Sequence, residues 1–171
     1  MTKDRVKILF IPFILTLGVI LVDQVSKAII SFTLRVGDKI EVLGDFFWLW
    51  HVRNTGMAFS MGSNLPPQLR GIFFLALPVI VLLFLMVYYF RMADLTGIQR
   101  WCFAAILGGG LGNLIDRFLR PDGVVDFVSI KFYGLFGIER YPTFNFADST
   151  VVVAGIIVII LYIVCHKRSA E

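Results

Sequence analysis

Apolar residues run almost unbroken through four stretches of the chain, about 6–32, 69–90, 98–119 and 144–166. Each is long enough, as a helix, to cross a hydrocarbon core about 30 Å thick. Pro78 falls inside the second stretch, where neighbouring helices can satisfy the carbonyl that its ring frees. The first stretch continues through Ile30 without a small-residue cleavage site, so it reads as a retained membrane helix rather than a secretory signal. Two long connections separate the stretches, about 33–68 and 120–143. In the first, Lys39–Leu43 and Phe46–Val52 flank Gly44-Asp45, the pattern of a β-hairpin. Trp48 and Trp50 are two apart and share a face suited to the headgroup layer. In the second, Val124–Val128 reads as a short strand, and the aromatic, glycine-broken Phe132–Ile138 as a segment lying in the interface. No repeat divides the 171 residues, which form one domain.

Composition strengthens the membrane reading. Hydrophobic residues make up 58% and charged residues 16%, against about a quarter charged in a soluble globule. There are 17 Phe against 5 Tyr, and Phe brings no polar atom that lipid would leave unpaired. The net charge of +4 forms no basic stripe interleaved with aromatics, so no nucleic-acid partner is expected. Positive charge sets orientation instead. Lys3, Arg5 and Lys7 crowd one tail and Lys167 and Arg168 the other, while Arg91 and Arg100 flank the short link between the second and third spans. Both termini and that link are therefore expected in the cytoplasm, and the two long connections outside. The fold class that follows is a membrane all-α bundle of four transmembrane helices with a small extracytoplasmic β-sheet and an interfacial segment.

Ligand chemistry is sparse. Cys102 and Cys165 lie in apolar runs and read as buried thiols rather than a disulfide. His51 and His166 stand alone, without the spacing of a zinc site, so no metal is expected.

The informative residues are the polar ones inside or beside the spans, since each carries a solvation cost that demands a partner or a role. Asp23 and Lys27 are four apart in the favourable acid-before-base order and read first as an ion pair near the exterior end of span one. Span three ends in GGGLGNLIDR, where Gly108 and Gly112 allow close helix approach. Asn113 and Arg117 share one face of it, Gly112 and Asp116 a neighbouring one, and Arg117 is open to a structural or a substrate-positioning role. Asp126 follows in VVDFV, and span four opens with FNFADS, which places Asn145 and Asp148 three apart. Span three leaves and span four enters on the same side, so Asp126 and Asp148 belong at one depth. A helix-capping role for either is the simpler alternative.

Two aspartates close together can hydrolyse a peptide without metal or nucleophilic side chain. One deprotonates water while the other protonates the carbonyl oxygen or the leaving nitrogen, and like charges at short range make the pair share a proton. A Ser/Lys dyad would have to use Lys27, whose helical partner is Asp23, while Ser26 points elsewhere. The GxGD signature of another intramembrane protease family is missing, GLGN having Asn in place of Asp. A coupled transporter would set its charges near the midplane or show inverted repeats, and here they gather at one end. A noncatalytic scaffold is supported only by GxxxG and the aromatic content.

The motifs DQVSK at Asp23–Lys27, NTGMAFS at Asn54–Ser60, GGGLGNLIDR at Gly108–Arg117, VVDF at Val124–Phe127 and FNFADS at Phe144–Ser149 resemble the signature blocks of bacterial lipoprotein signal peptidases, in the same order. The resemblance implies an intramembrane aspartyl endopeptidase that cleaves diacylglyceryl-modified prolipoproteins before the lipidated cysteine, working in the bacterial inner membrane near its outer face. It implies Asp126 and Asp148 as the catalytic dyad, Asn54, Gly56, Asn113, Arg117 and Asn145 as substrate-binding, and Asp23, Lys27 and Asp116 as supporting. It further implies no cofactor, and membrane lipid and prolipoprotein as partners of a monomer. Met57 and Gly110 stand where the family often has Ala. Met57 would reshape a contact loop slightly, and Gly110 would ease helix packing.

Overall fold

A computed structural model describes residues 3–56, 66 and 72–168, with side chains from residue 5 to 164. The expectations for Met57 to Ser60, for the start of span two at 69–71 and for the side chains of Cys165 and His166 lie outside the described residues. In chain order the elements are α1 (Lys3–Phe10), α2 (Phe13–Thr33), β1 (Lys39–Leu43), β2 (Phe47–Asn54), α3 (Leu77–Arg91), α4 (Gly97–Leu119), β3 (Val124–Ile130) and α5 (Phe146–Arg168).

Among the described residues, four helical stretches are long and apolar enough to cross a membrane: Arg5–Thr33, Ile72–Arg91, Gly97–Leu119 and Phe146–Val164. The first is not one straight helix. Pro12 cannot donate a backbone hydrogen bond, and the chain passes from α1 to α2 through Ile11 and Pro12, a proline break that apolar periodicity does not register. Pro78 produces no break inside α3. It sits in that helix's first turn, where a missing donor costs little, after a π-helical turn over Ile72–Ala76.

The helix at the centre of the bundle is α4, which is also the least apolar, with a mean hydropathy of 1.3 against 2.3 to 2.7 for the other three. It packs on α2, α3 and α5, and more than half of it is buried within the protein. Glycine makes that packing possible. A Cβ on Gly108 would lie 2.9 Å from Thr16 O on α2, and one on Gly109 2.6 Å from Ala147 O on α5. Gly110 faces α3, where a Cβ would meet the Leu82 side chain. Outward positions such as Leu17, Leu21, Phe84, Ile156 and Ile160 remain exposed, as lipid-facing side chains do.

At the end of the bundle where α2 and α4 finish, a three-stranded antiparallel sheet in the order β1-β2-β3 covers the helices. The hairpin expected around Gly44-Asp45 is present, with Ile40 opposite Leu49, and β2 runs two residues beyond the expected limit to Asn54. β2 pairs with β3 through Val52 opposite Asp126 and Asn54 opposite Val124, after an irregularity between Leu49 and Val52. Val125 and Phe127 on β3 pack against Ile30 of α2, which seats the sheet on the bundle. Phe132–Ile138 contains a single 3-10 turn, Leu135–Gly137, with Phe136 at 87% exposure.

Cations pack on the Trp48 ring: Lys39 Nζ and Arg140 Cζ each lie 3.5 Å from its centroid. Arg140 is held in turn by Asp45, at 2.9 Å, which ties the hairpin to the segment after β3.

Candidate active site

Asn54, Asn113, Arg117, Asp126, Asn145 and Asp148 converge beneath the sheet, with Asp23, Lys27 and Asp116 below them. Asp126 lies on β3 and is almost wholly enclosed, at 1% exposure. Its Oδ2 accepts from Asn54 Nδ2 at 2.9 Å and its Oδ1 from Asn145 Nδ2 at 2.7 Å. The pairing register explains the first bond, because Asn54 and Asp126 stand on the same face of neighbouring strands. Gly56 N donates to Asn54 Oδ1 at 3.0 Å and turns that amide so its nitrogen faces the carboxylate. Asp148 is half-buried in the first turn of α5, where its Oδ1 accepts from Asn113 Nδ2 at 2.8 Å.

Asn145 joins the two acids. Its side-chain nitrogen donates to Asp126, its side-chain oxygen accepts from Asp148 N at 2.9 Å, and its backbone N–H donates to Asp148 Oδ2 at 3.1 Å. Asn145 and Asp148 thus form a reciprocal cap at the start of α5. The capping alternative for Asp148 is therefore correct for one of its oxygens, while the other faces Asn113.

Burial, ahead of every other cause, pushes the Asp126 carboxyl up to about 7. The nearby Asp148 charge adds to that rise, while the Asn54 and Asn145 amides oppose it. A carboxyl near 7 beside a second carboxylate is the arrangement that general acid–base chemistry needs at neutral pH.

Below the acids lies a cluster of charges fully enclosed between α2 and α4. Lys27 Nζ stands 2.8 Å from Asp23 Oδ2 and 3.3 Å from Asp116 Oδ2, so the expected Asp23–Lys27 pair is one side of a triad. Asp23 reaches further and accepts from the Ala147 backbone N–H at 3.0 Å, anchoring the start of α5. Asp116 accepts from Val125 N at 3.0 Å and from Arg120 at 2.9 Å, which fixes the entry of β3. Arg117 is different. It lines the cleft near the carboxylates of Asp148, Asp126 and Asp116, yet has no hydrogen-bonded partner among the described residues.

Three contributors escaped the sequence reading. Gln24 Nε2 bonds Asp116 Oδ1 and Gly112 O, both at 3.0 Å, and Arg120 closes the charge balance of Asp116. Gly123, at φ +103, lets the chain approach Asn54, since a Cβ there would lie 2.6 Å from Asn54 O. The Pro121-Asp122-Gly123 turn signature was the available signal for this last residue.

The acids open into a cleft of about 810 Å³. Its mouth carries Asn54, Asp126, Asn113, Arg117 and Asp148, and its deeper wall is apolar, with Leu82, Leu85, Ile106 and Val151.

Comparison with known proteins agrees with this architecture. Residues 15–165 match the family described as Signal peptidase (SPase) II. The lipoprotein signal peptidase of Borrelia turicatae is 48% identical over 149 residues, which cover 86% of each chain. That of Treponema denticola is 49% identical over 147 residues, 86% of this chain and 85% of the relative. A bacterial membrane enzyme solved by the in meso method at 2.3 Å superposes with a TM-score of 0.77 and 30% identity, over 92% of this chain and 90% of the other. This multi-pass membrane chain belongs to the signal peptidase II family of aspartic-type, lipoprotein-processing peptidases.

Proposed function

We propose that the chain hydrolyses the amide bond preceding the lipid-modified cysteine of diacylglyceryl-prolipoproteins, with Asp126 and Asp148 as the catalytic dyad. The observation that carries this reading is Asn145, one residue that binds both carboxyl groups, that of Asp126 through its side-chain amide and that of Asp148 through its backbone N–H, where the two acids line a largely apolar cleft. One ionised aspartate takes a proton from water as its oxygen attacks the carbonyl carbon. The protonated partner gives its proton to the carbonyl oxygen, and as the C–N bond breaks the first aspartate passes the proton taken from water to the leaving nitrogen while the partner recovers its own from the tetrahedral intermediate's hydroxyl. Asn54, Asn113 and Asn145 hold the acids and meet the substrate beside them. Arg117, with donors to spare, takes a substrate carbonyl or the developing oxyanion. The supporting group is Asp23, Lys27 and Asp116, which hold α2, α4, α5 and β3 together beneath the acids.

The deeper apolar wall suits a partner whose acyl chains and signal helix remain in lipid while its scissile bond sits at the interface. Both termini lie on the cytoplasmic side and the cleft opens near the outer face of the inner membrane, in keeping with the basic tails. The decisive experiment replaces Asp126 or Asp148 by Asn and follows conversion of a purified diacylglyceryl-prolipoprotein. Cleavage is expected to vanish in both variants while the protein still inserts, and unchanged cleavage would overturn the dyad. Cysteine labelling at Asp45 and Asp94 reads the orientation, with labelling of both from one side as the contrary result.

A further inference from the structure

Lys27 is wholly enclosed, and its ammonium has a third partner beyond the two carboxylates: Asn113 Oδ1, at 3.0 Å. That contact bears on the acids, because the other end of the same amide donates to Asp148 at 2.8 Å. An asparagine amide is reversible in principle, and its orientation follows from its neighbours. Here the oxygen of Asn113 faces two groups that can only donate, the Lys27 ammonium and Asn145 Nδ2, each at 3.0 Å. Asn145 is itself fixed, because its oxygen accepts the backbone N–H of Asp148. A reversed Asn113 would set its N–H bonds against an ammonium and its oxygen against a carboxylate.

We propose that Lys27 is a positioning residue of the peptidase reaction, its charge passed through the Asn113 amide to present a polarised N–H to Asp148. The inference rests on the reading of Asp126 and Asp148 as the dyad. A cation on an amide oxygen strengthens donation from the amide nitrogen, and the dry surroundings of Lys27 preserve the effect. Ion pairing alone does not require the third contact. Asp23 and Asp116 are balanced by Lys27 and Arg120, so the charges of Lys27 and Asp23 can be neutralised together, with Asp23→Asn keeping an oxygen for the Ala147 N–H and Asp116 keeping Arg120.

That neutral exchange is the test. Lys27→Met with Asp23→Asn, purified and assayed on a diacylglyceryl-prolipoprotein, is expected to keep KM and lose kcat by on the order of tenfold or more. The acidic limb of its kcat profile is expected to move to higher pH, since a carboxylate has lost a charge-backed donor. Lys27→Gln with Asp23→Asn restores a neutral donor and is expected to fall between. Unchanged kcat and an unmoved limb in the folded double variant would overturn the proposal, and so would a loss of activity that tracks lowered thermal stability while the limb stays in place. Should neither double variant accumulate, the unaltered protein decides by NMR of 15N-labelled asparagine side chains. An amide proton assigned to Asn113 is expected to be shifted far downfield, beyond that of Asn54, which among the described residues lacks a cation on its oxygen, and an Asn113 signal at or upfield of it overturns the proposal. Asp126→Asn and Asp148→Asn are run alongside. Cleavage surviving in those removes the dyad, whereas dead dyad variants beside unaltered Lys27 variants remove only the role of Lys27.

Discussion

Asn145 and Asp148 are bonded to each other twice, backbone N–H to side-chain oxygen in both directions, at 3.1 and 2.9 Å. The cap that begins α5 is therefore also the mount of a proposed catalytic carboxylate. Asp148 cannot shift without unwinding the first turn of its helix, and Asn145 cannot shift without releasing Asp126.

Asn145→Ala separates these roles in magnitude. Loss of the cap costs about 1 kcal/mol of stability, a modest change in thermal unfolding. Cleavage is expected to fall by roughly a hundredfold or more, because Asp126 loses the Asn145 amide and the turn that carries Asp148 loses its cap. A variant that cleaves within a few-fold of the parent would show that the acids hold their places without it.

The pH dependence follows from Asp126, raised by burial to about 7. Between the ordinary carboxylate value near 4 and 7, the folded protein holds a proton that the unfolded chain has released. Stability from this group is therefore present at low pH and declines as pH rises through that window. Asp126→Asn removes the titration, and its thermal stability should decline less from pH 4 to 8, by on the order of a few kcal/mol. In the parent enzyme kcat/KM is expected to fall above about pH 7 as the pair loses its shared proton. A profile that keeps rising to pH 9 would contradict this.

Glycine positions on α4 and α5 separate close packing from helix propensity. Gly109→Ala drives a Cβ to within 2.6 Å of Ala147 O, and Gly112→Ala to within 2.6 Å of Asp23 Oδ2. The first displaces the start of α5 and the second the Asp23 carboxylate that anchors it, and each is expected to cost about 1–3 kcal/mol and most activity. Gly155→Ala on α5 meets nothing within 4 Å, so it should leave cleavage unchanged and, through helix propensity alone, stabilise by up to about 1 kcal/mol. Equal behaviour of the three in thermal unfolding and turnover would refute the packing account.

Trp48→Ala tests the cation sandwich. Losing Lys39 and Arg140 from the ring faces is expected to cost about 1–2 kcal/mol and to open the segment after β3 to limited proteolysis. An unchanged digestion pattern would mean that Asp45, bonded to Lys131 and Arg140, holds that segment unaided.

Much of this was written in the chain. Lipid admits no unpaired backbone group, so long apolar runs had to be spanning helices, and their number, order and approximate limits were legible. The Gly-Asp hairpin, the strand around Asp126 and the joint placement of Asp126 and Asp148 at one end followed from local pattern and span parity. The break at Pro12 and the harmless place of Pro78 did not, because hydropathy reports burial in lipid and is silent on which backbone bond a proline removes. The roles inside the site were decided only by the folded chain. Hydrogen bonding between Asn54 and Asp126 depends on strand register, and that between Asn113 and Asp148 on helix packing. The sandwiching of Trp48 depends on Arg140 returning from a distant loop. Sequence determined which groups were too costly to leave unpartnered in a membrane. Tertiary structure chose their partners, because a hydrogen bond is settled by ångströms and orientation, which residue spacing along the chain does not encode.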